Sequence, residues 1–126
     1  MSIPKDLLYA KTHEWVRFTA DGRAFIGITD HAQEALGDVA FINLCDEDEV
    51  LSAGDVIGDI ESIKAVTDIY TPVSGKVVAV NEELLNSPEL INTEPYGAWF
   101  IELDEVETND DLLDAEEYEL FLSQEE

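Results

Sequence analysis

The chain has 126 residues, 45% of them hydrophobic, which suits one domain around one core and excludes a globally disordered chain. Thirty acidic residues face six basic ones, a formal net charge of −24, which excludes the clustered Lys and Arg that nucleic acid or an anionic membrane requires. With no apolar run of about 18 residues, no basic-then-apolar N-terminus and a single cysteine, the sequence predicts no membrane span, no secretory signal and a cytoplasmic protein in which Cys45 is a buried, inert thiol. The acidity has two readings, a solvation device for a salty cytoplasm or a field that steers the chain to basic docking sites.

In chain order, residues 13–18 and 24–28 read as strands around Ala20-Asp21-Gly22-Arg23, because Asp-Gly between apolar-rich runs favours a hairpin. A short helix follows, with Asp30 as its N-cap, Gln33 at the third position, Ala32 and Leu36 on one face and Gly37 as its stop. Residues 39–44, 56–63, 65–70 and 76–80 read as strands, separated by Gly54, the Lys64 turn and Pro72-Val73-Ser74-Gly75. Asp46-Glu47-Asp48-Glu49 reads as a solvated loop, since it lacks the Asp-x-Asx-x-Asx-Gly pattern of a calcium loop. A faint internal echo links Ala53-Gly54-Asp55-Val56-Ile57 to Ser74-Gly75-Lys76-Val77-Val78, as two half-units packed face to face would show.

Beyond it lies a stretch punctuated by Pro88, Asn92 and Pro95, preceded by a single helical turn at 82–85. Residues 99–103 read as a further strand. Residues 110–122 read as a helix, with Asp110 and Asp111 in its first turn and Leu112, Ala115, Tyr118 and Leu122 near one face. The element order gives a mainly β (α+β) chain, a sandwich or flattened barrel.

The residues offer no catalytic centre and no metal site. His13 and His31 are the only histidines, and neither has zinc-ligand spacing. No Gly-x-Ser-x-Gly elbow or phosphate-binding glycine loop occurs. Carboxylate pairs carry no information in so acidic a chain, and Trp15 and Trp99 read as core or rim aromatics.

Lysine is scarce, and Lys64 is set apart from Lys5, Lys11 and Lys76. It follows the strand ending Glu61-Ser62-Ile63 and precedes Ala65-Val66-Thr67-Asp68, so it sits at a tight turn where another enzyme can reach its amine. Glu61-Ser62-Ile63-Lys64-Ala65 closely resembles the lipoyl attachment motif of the H protein of the glycine cleavage system. The Met residues that flank the lysine of biotin carriers are absent, as is the Asp that precedes it in lipoyl domains of 2-oxoacid dehydrogenases. The resemblance extends along the chain, through Thr12-His13-Glu14-Trp15-Val16, Gly27-Ile28-Thr29-Asp30-His31-Ala32-Gln33, Leu90-Ile91-Asn92, Pro95-Tyr96-Gly97 and Leu112-Leu113-Asp114-Ala115.

The resemblance implies one lipoyl-domain-like carrier over residues 1–126, a barrel-sandwich of two antiparallel sheets with short helices and a C-terminal helix. It implies lipoate joined to the Lys64 amine as N6-lipoyllysine, with Glu61, Ser62 and Ala65 as the attachment motif. It implies a shuttle without enzymatic activity of its own. That shuttle takes an aminomethyl group from a pyridoxal-phosphate glycine decarboxylase (P protein) to a tetrahydrofolate-dependent aminomethyltransferase (T protein), and dihydrolipoyl dehydrogenase (L protein) reoxidises it. Lipoyl-attaching enzymes are further partners. By resemblance Glu14 and Asp68 match family positions near the loaded arm, and His31 is a further candidate neighbour of it.

Two departures stand out. Only Gly97-Ala98 separate Tyr96 from Trp99, a shorter loop than in relatives, and Ala35 stands where some relatives carry a second histidine. Alternatives are a relay of lipoyl groups to other carriers, an unmodified acidic interaction module, and an acid/base enzyme built on the carboxylates.

Overall fold

The computed structural model describes residues 3–108 and 111–124. The Asp21-Gly22 turn joins β2 (Glu14–Phe18) to β3 (Ala24–Ile28) in the register Trp15↔Gly27 and Val16↔Ile26. β1 (Leu8–Tyr9) adds to the free edge of β2, and β9 (Ile101–Glu107), β8 (Ser74–Val80) and β5 (Val50–Leu51) extend the other side, giving the order β1-β2-β3-β9-β8-β5. A second antiparallel sheet has the order β4 (Val39–Leu44), β6 (Val56–Ser62), β7 (Val66–Tyr70). The two copies of the sequence echo lead into β6 and β8, one in each sheet. This is the two-sheet β architecture expected from the sequence.

Alternation along β2 shows how the core divides. Val16 joins Ile26, Ile28, Ile42, Ile60, Ile69 and Leu103 between the sheets. Trp15, its neighbour, points to the opposite face and packs with Leu7, Tyr9, Ala115 and Tyr118 beneath α4 (Ala115–Gln124). Each buried Val, Leu or Ile among them stabilises the fold by roughly 1.5–3 kcal/mol. Gly27 is the cross-strand partner of Trp15, and a β-carbon there would lie inside the indole. Tyr118 stacks on Tyr9 with ring centroids 4.6 Å apart, which fixes α4 to β1.

Several boundaries differ from the sequence reading. α1 (Asp30–Leu36) is capped by Thr29, not Asp30, because the buried Thr29 hydroxyl accepts the Ala32 N–H at 3.2 Å. Asp30 is thereby the first helical residue, where a negative charge suits the helix dipole. The last strand starts at Ile101 rather than 99, because the Trp99 carbonyl accepts the Asn81 side-chain amide. α4 starts at Ala115, since Leu113 is held in a β-bridge to Tyr9. Asp114 and Glu117 then form a reciprocal capping box, with bonds of 2.8 and 3.0 Å. Asp110, which the sequence reading placed in this helix, lies outside the described residues. β1, β5 and α3 (Leu90–Thr93) were not predicted, whereas α2 (Glu82–Asn86) forms near the expected helical turn.

Cys45 is half-buried against the core, and burial beside Glu49 and Asp46 pushes its thiol up to about 11. No helix among the described residues is long and apolar enough to cross a membrane.

Candidate functional site

The Lys64 turn closes the β6–β7 ladder one residue beyond the pair Glu61↔Val66. Ser62 N–H donates to the Ala65 carbonyl at 2.9 Å. The Ser62 hydroxyl accepts the N–H groups of both Lys64 and Ala65 at 3.2 Å. None of residues 62–65 has a positive φ, so the serine hydroxyl, rather than a glycine, holds this turn. Ile63, Lys64 and Ala65 are exposed. The serine-braced turn thus presents an exposed lysine.

The turn is seated on the end of α1. Ile63 N–H donates to the Asp38 carbonyl at 3.2 Å. Asn92 of α3 brackets Asp38, donating to the Gly37 carbonyl at 2.8 Å and accepting the Val39 N–H at 2.9 Å. Its amide also donates to Gln33 Oε1 at 3.1 Å. Gly37 has φ 75°, a backbone that suits glycine, and lies against the lysine stem, where a β-carbon would make an ordinary contact 3.4 Å from Lys64 Cε.

Beside the turn runs a groove of about 380 Å³ between α1 and β7. Ala32, Ala35 and Leu36 line it from the helix, and Thr67, Asp68 and Tyr70 from the strand. His13 and Glu14 line it from the start of β2. Glu14 and Asp68 therefore share one groove, although they are distant in sequence. Asp68 is exposed on its rim, whereas Glu14 is buried. Burial raises the Glu14 carboxyl to about 7, against the pull of hydrogen bonds from the Thr12 hydroxyl and the Tyr70 main chain. The groove is thus mainly apolar along its helix wall and carries two carboxyl groups in different settings.

His31 is not among the residues lining the groove. Its ring lies 4.5 Å from that of His13, which is. His13 adopts φ 73°, and its Nδ1 lies 2.8 Å from the Tyr118 hydroxyl, which is also 2.8 Å from the Thr29 hydroxyl. Tyr118 therefore ties α4 to the cap of α1 and to the groove wall. The short loop before Trp99 is fixed as well. Trp15 Nε1 donates to the Pro95 carbonyl at 2.9 Å, and Arg17 donates to the Tyr96 carbonyl at 2.8 Å.

Residues 7–125 match the family model for the glycine cleavage H-protein. The chain belongs to that family. It is 51% identical over 125 residues to glycine cleavage system H protein 2 of Pseudomonas putida, with 98% of each chain covered. It is 53% identical over 125 residues to a glycine cleavage system H protein of Listeria monocytogenes, with 97% of this chain and 99% of that one covered. The crystal structure of a glycine cleavage system H protein from Mycobacterium marinum matches with a TM-score of 0.86 at 38% identity, over 98% of both chains.

Two residues at the groove and the turn are not legible as site residues in the sequence. His13 reads in the sequence as a strand residue, a histidine without zinc-ligand spacing and part of a family-like motif; its place on the groove depends on a left-handed backbone that no local pattern announces. Asn92 reads only as punctuation and as part of Leu90-Ile91-Asn92; its bracing role is not legible locally, because its three partners come from residues 33–39. Ser62 braces Lys64 and Ala65 by hydrogen bonds, Glu61 lies one position below the turn, and Ala35 lines the groove.

Proposed function

We propose that this chain is the lipoyl-bearing shuttle of the glycine cleavage system, with lipoate in amide linkage to Lys64. In this reading residues 1–126 act as one carrier domain in the cytoplasm. It takes an aminomethyl group from the P protein to the T protein, is reoxidised by dihydrolipoyl dehydrogenase, and catalyses no step itself. The observation that carries the reading is the exposed lysine on a serine-braced turn, seated at the end of a groove-lining helix in a chain of this family.

The residues fit the group. Amide formation needs an amine that a second enzyme can reach, and Lys64 is exposed. An acyl chain needs an apolar wall, and Ala32, Ala35 and Leu36 supply one. An ammonium at its end needs carboxylates, and Glu14 and Asp68 line the same groove. When bound, lipoate supplies a dithiolane that is reduced as it accepts the aminomethyl carbon. Ser62 holds the turn, Gly37 lies against the stem, Asn92 holds the backbone on either side of Asp38, and Glu14 and Asp68 receive the charged end. Tethering gives the carried group a high effective concentration at each enzyme visited.

Intact-mass analysis with peptide mapping of the protein from its native host tests this. One lipoyl group on Lys64 is expected, and none on Lys64→Arg, whose guanidinium cannot accept the acyl group. Lipoylation persisting in that variant rejects the assignment. Glycine decarboxylation with the P protein separates the shuttle from a relay of lipoyl groups to other carriers.

A further inference from the structure

Phe41 of β4, Glu61 of β6 and Val66 of β7 form one cross-strand row, paired Phe41↔Glu61 and Glu61↔Val66. The next row, Ile42↔Ile60↔Thr67, turns two buried isoleucines to the core, so the first row faces outward. Phe41 is 65% exposed, Val66 64%, and Ile63 at the turn itself 73%. Three large apolar side chains thus stand around the lysine hairpin of a protein with thirty acids. They do not line the groove and add nothing to the core. Beside them lie acids, Glu61 in the row, Asp59 and Asp68 in the outward row beyond it, and exposed Asp38 at the seat of the turn.

We propose that this outer face is the docking surface for the lipoyl-attaching enzyme. It fits a partner with an apolar recess for Phe41 and Val66, rimmed by Lys or Arg that meet Glu61, Asp59 and Asp38. The inference rests on Lys64 as the attachment site. The choice of occupant follows from reach. In attachment, the Lys64 amine attacks the carbonyl of an activated lipoyl ester; the C–N amide bond forms, the bond from acyl carbon to leaving group breaks, and an amine proton passes to a base on the enzyme. The reacting atom is Nζ, one lysine side chain from the turn, so the enzyme's surface must cover the hairpin. An enzyme acting on the dithiolane works at the far end of the arm and has no need to cover this face. An apolar centre with a charged rim is the usual anatomy of such a contact.

The experiment measures attachment of lipoate to the purified, unmodified chain by the host's attaching enzyme, read by intact mass. Phe41→Ser should raise KM about tenfold at nearly unchanged kcat, as loss of a central aromatic anchor does. Phe41→Ser with Val66→Thr should raise it further, while thermal melts stay near wild type because both positions are exposed. Fully lipoylated Phe41→Ser should support glycine decarboxylation by the P protein at the wild-type rate. An unchanged KM in the double variant overturns the proposal. So does an equal loss in the decarboxylation assay, which assigns the face to a later enzyme. A lipoyl group found on another lysine rejects the Lys64 reading itself, and the peptide map reports that independently of KM.

Discussion

The stem of Lys64 crosses Gly37, whose missing β-carbon would sit 3.4 Å from Cε and 3.7 Å from Nζ. Gly37 also holds φ 75° and ψ −158°, a region that an L side chain enters only under strain. Gly37→Ala is therefore expected to cost about 1–3 kcal/mol. Urea unfolding would show this as a lower midpoint at an unchanged slope. An unaltered midpoint would mean that the end of α1 relaxes and does not fix the lysine's seat.

Asn92 supplies the rest of that seat, and Asn92→Asp keeps its shape while removing both donors. The Gly37 carbonyl and Gln33 Oε1 would then face a carboxylate in place of an amide. A loss on the order of 2–4 kcal/mol is expected, because partly buried acceptors lose their donors and gain a repelling neighbour. Thermal melts measure it, and Asn92→Asp melting within a degree of wild type would remove Asn92 from this role.

How far these relationships were legible depends on how local they are. The lysine turn was readable because residues 61–65 carry it in one run, and the flanking strands follow from that turn. The groove was not, since its walls come from residues 12–14, 28–36 and 67–70. From sequence, only the family resemblance brings Glu14 and Asp68 together. The start of α4 was misread for a different reason. Asp110-Asp111 and Asp114 are both reasonable helix starts by composition, and the pairing of Leu113 with Tyr9 decides between them. That contact spans most of the chain.

Glu14 makes stability depend on pH in a definite direction. Its folded pKa of about 7 lies above the ordinary value of 4.5, so the folded state binds the proton more tightly than the unfolded state. Its contribution is full below pH 4.5, falls as pH rises through 7, and is flat above. Glu14→Gln stays neutral throughout. Relative to that variant, wild type should lose up to about 3 kcal/mol between pH 4.5 and pH 8. Parallel urea titrations of the two proteins across this range give the difference directly. A constant difference would mean that Glu14 is as well solvated when charged as it is in the unfolded chain.

The same groove should hold the loaded arm. A carried aminomethyl group is cationic near neutral pH, and Glu14 and Asp68 are the carboxyl groups lining the groove. In Glu14→Gln and Asp68→Asn the loaded form should release its carbon several-fold faster in the absence of T protein, because charge-assisted hydrogen bonds are lost. His13→Asn is the useful third variant, since His13 rather than His31 lines the groove. Lifetimes by mass spectrometry that match wild type in both acid variants would defeat this role.

A net charge of −24 would speed encounters with partners that carry basic docking patches. A shuttle must visit several partners in turn, so fast and weak encounters serve it better than tight ones. Basic patches on the partners would speed association through a long-range field, and salt shortens that field to about 8 Å at physiological strength. Association with the P and T proteins should therefore slow as salt rises, while dissociation changes less. Local ion pairs do not confuse the measurement. Arg23 lies 3.5 Å from Glu102 and 4.0 Å from Asp104 at partly exposed positions, and such pairs contribute under about 1 kcal/mol. Adaptation to a salty cytoplasm predicts the opposite trend, with folding and partner turnover held or improved at molar salt. Stopped-flow association and thermal melts over one salt series separate the two, and a flat association rate with rising stability would sink the steering account.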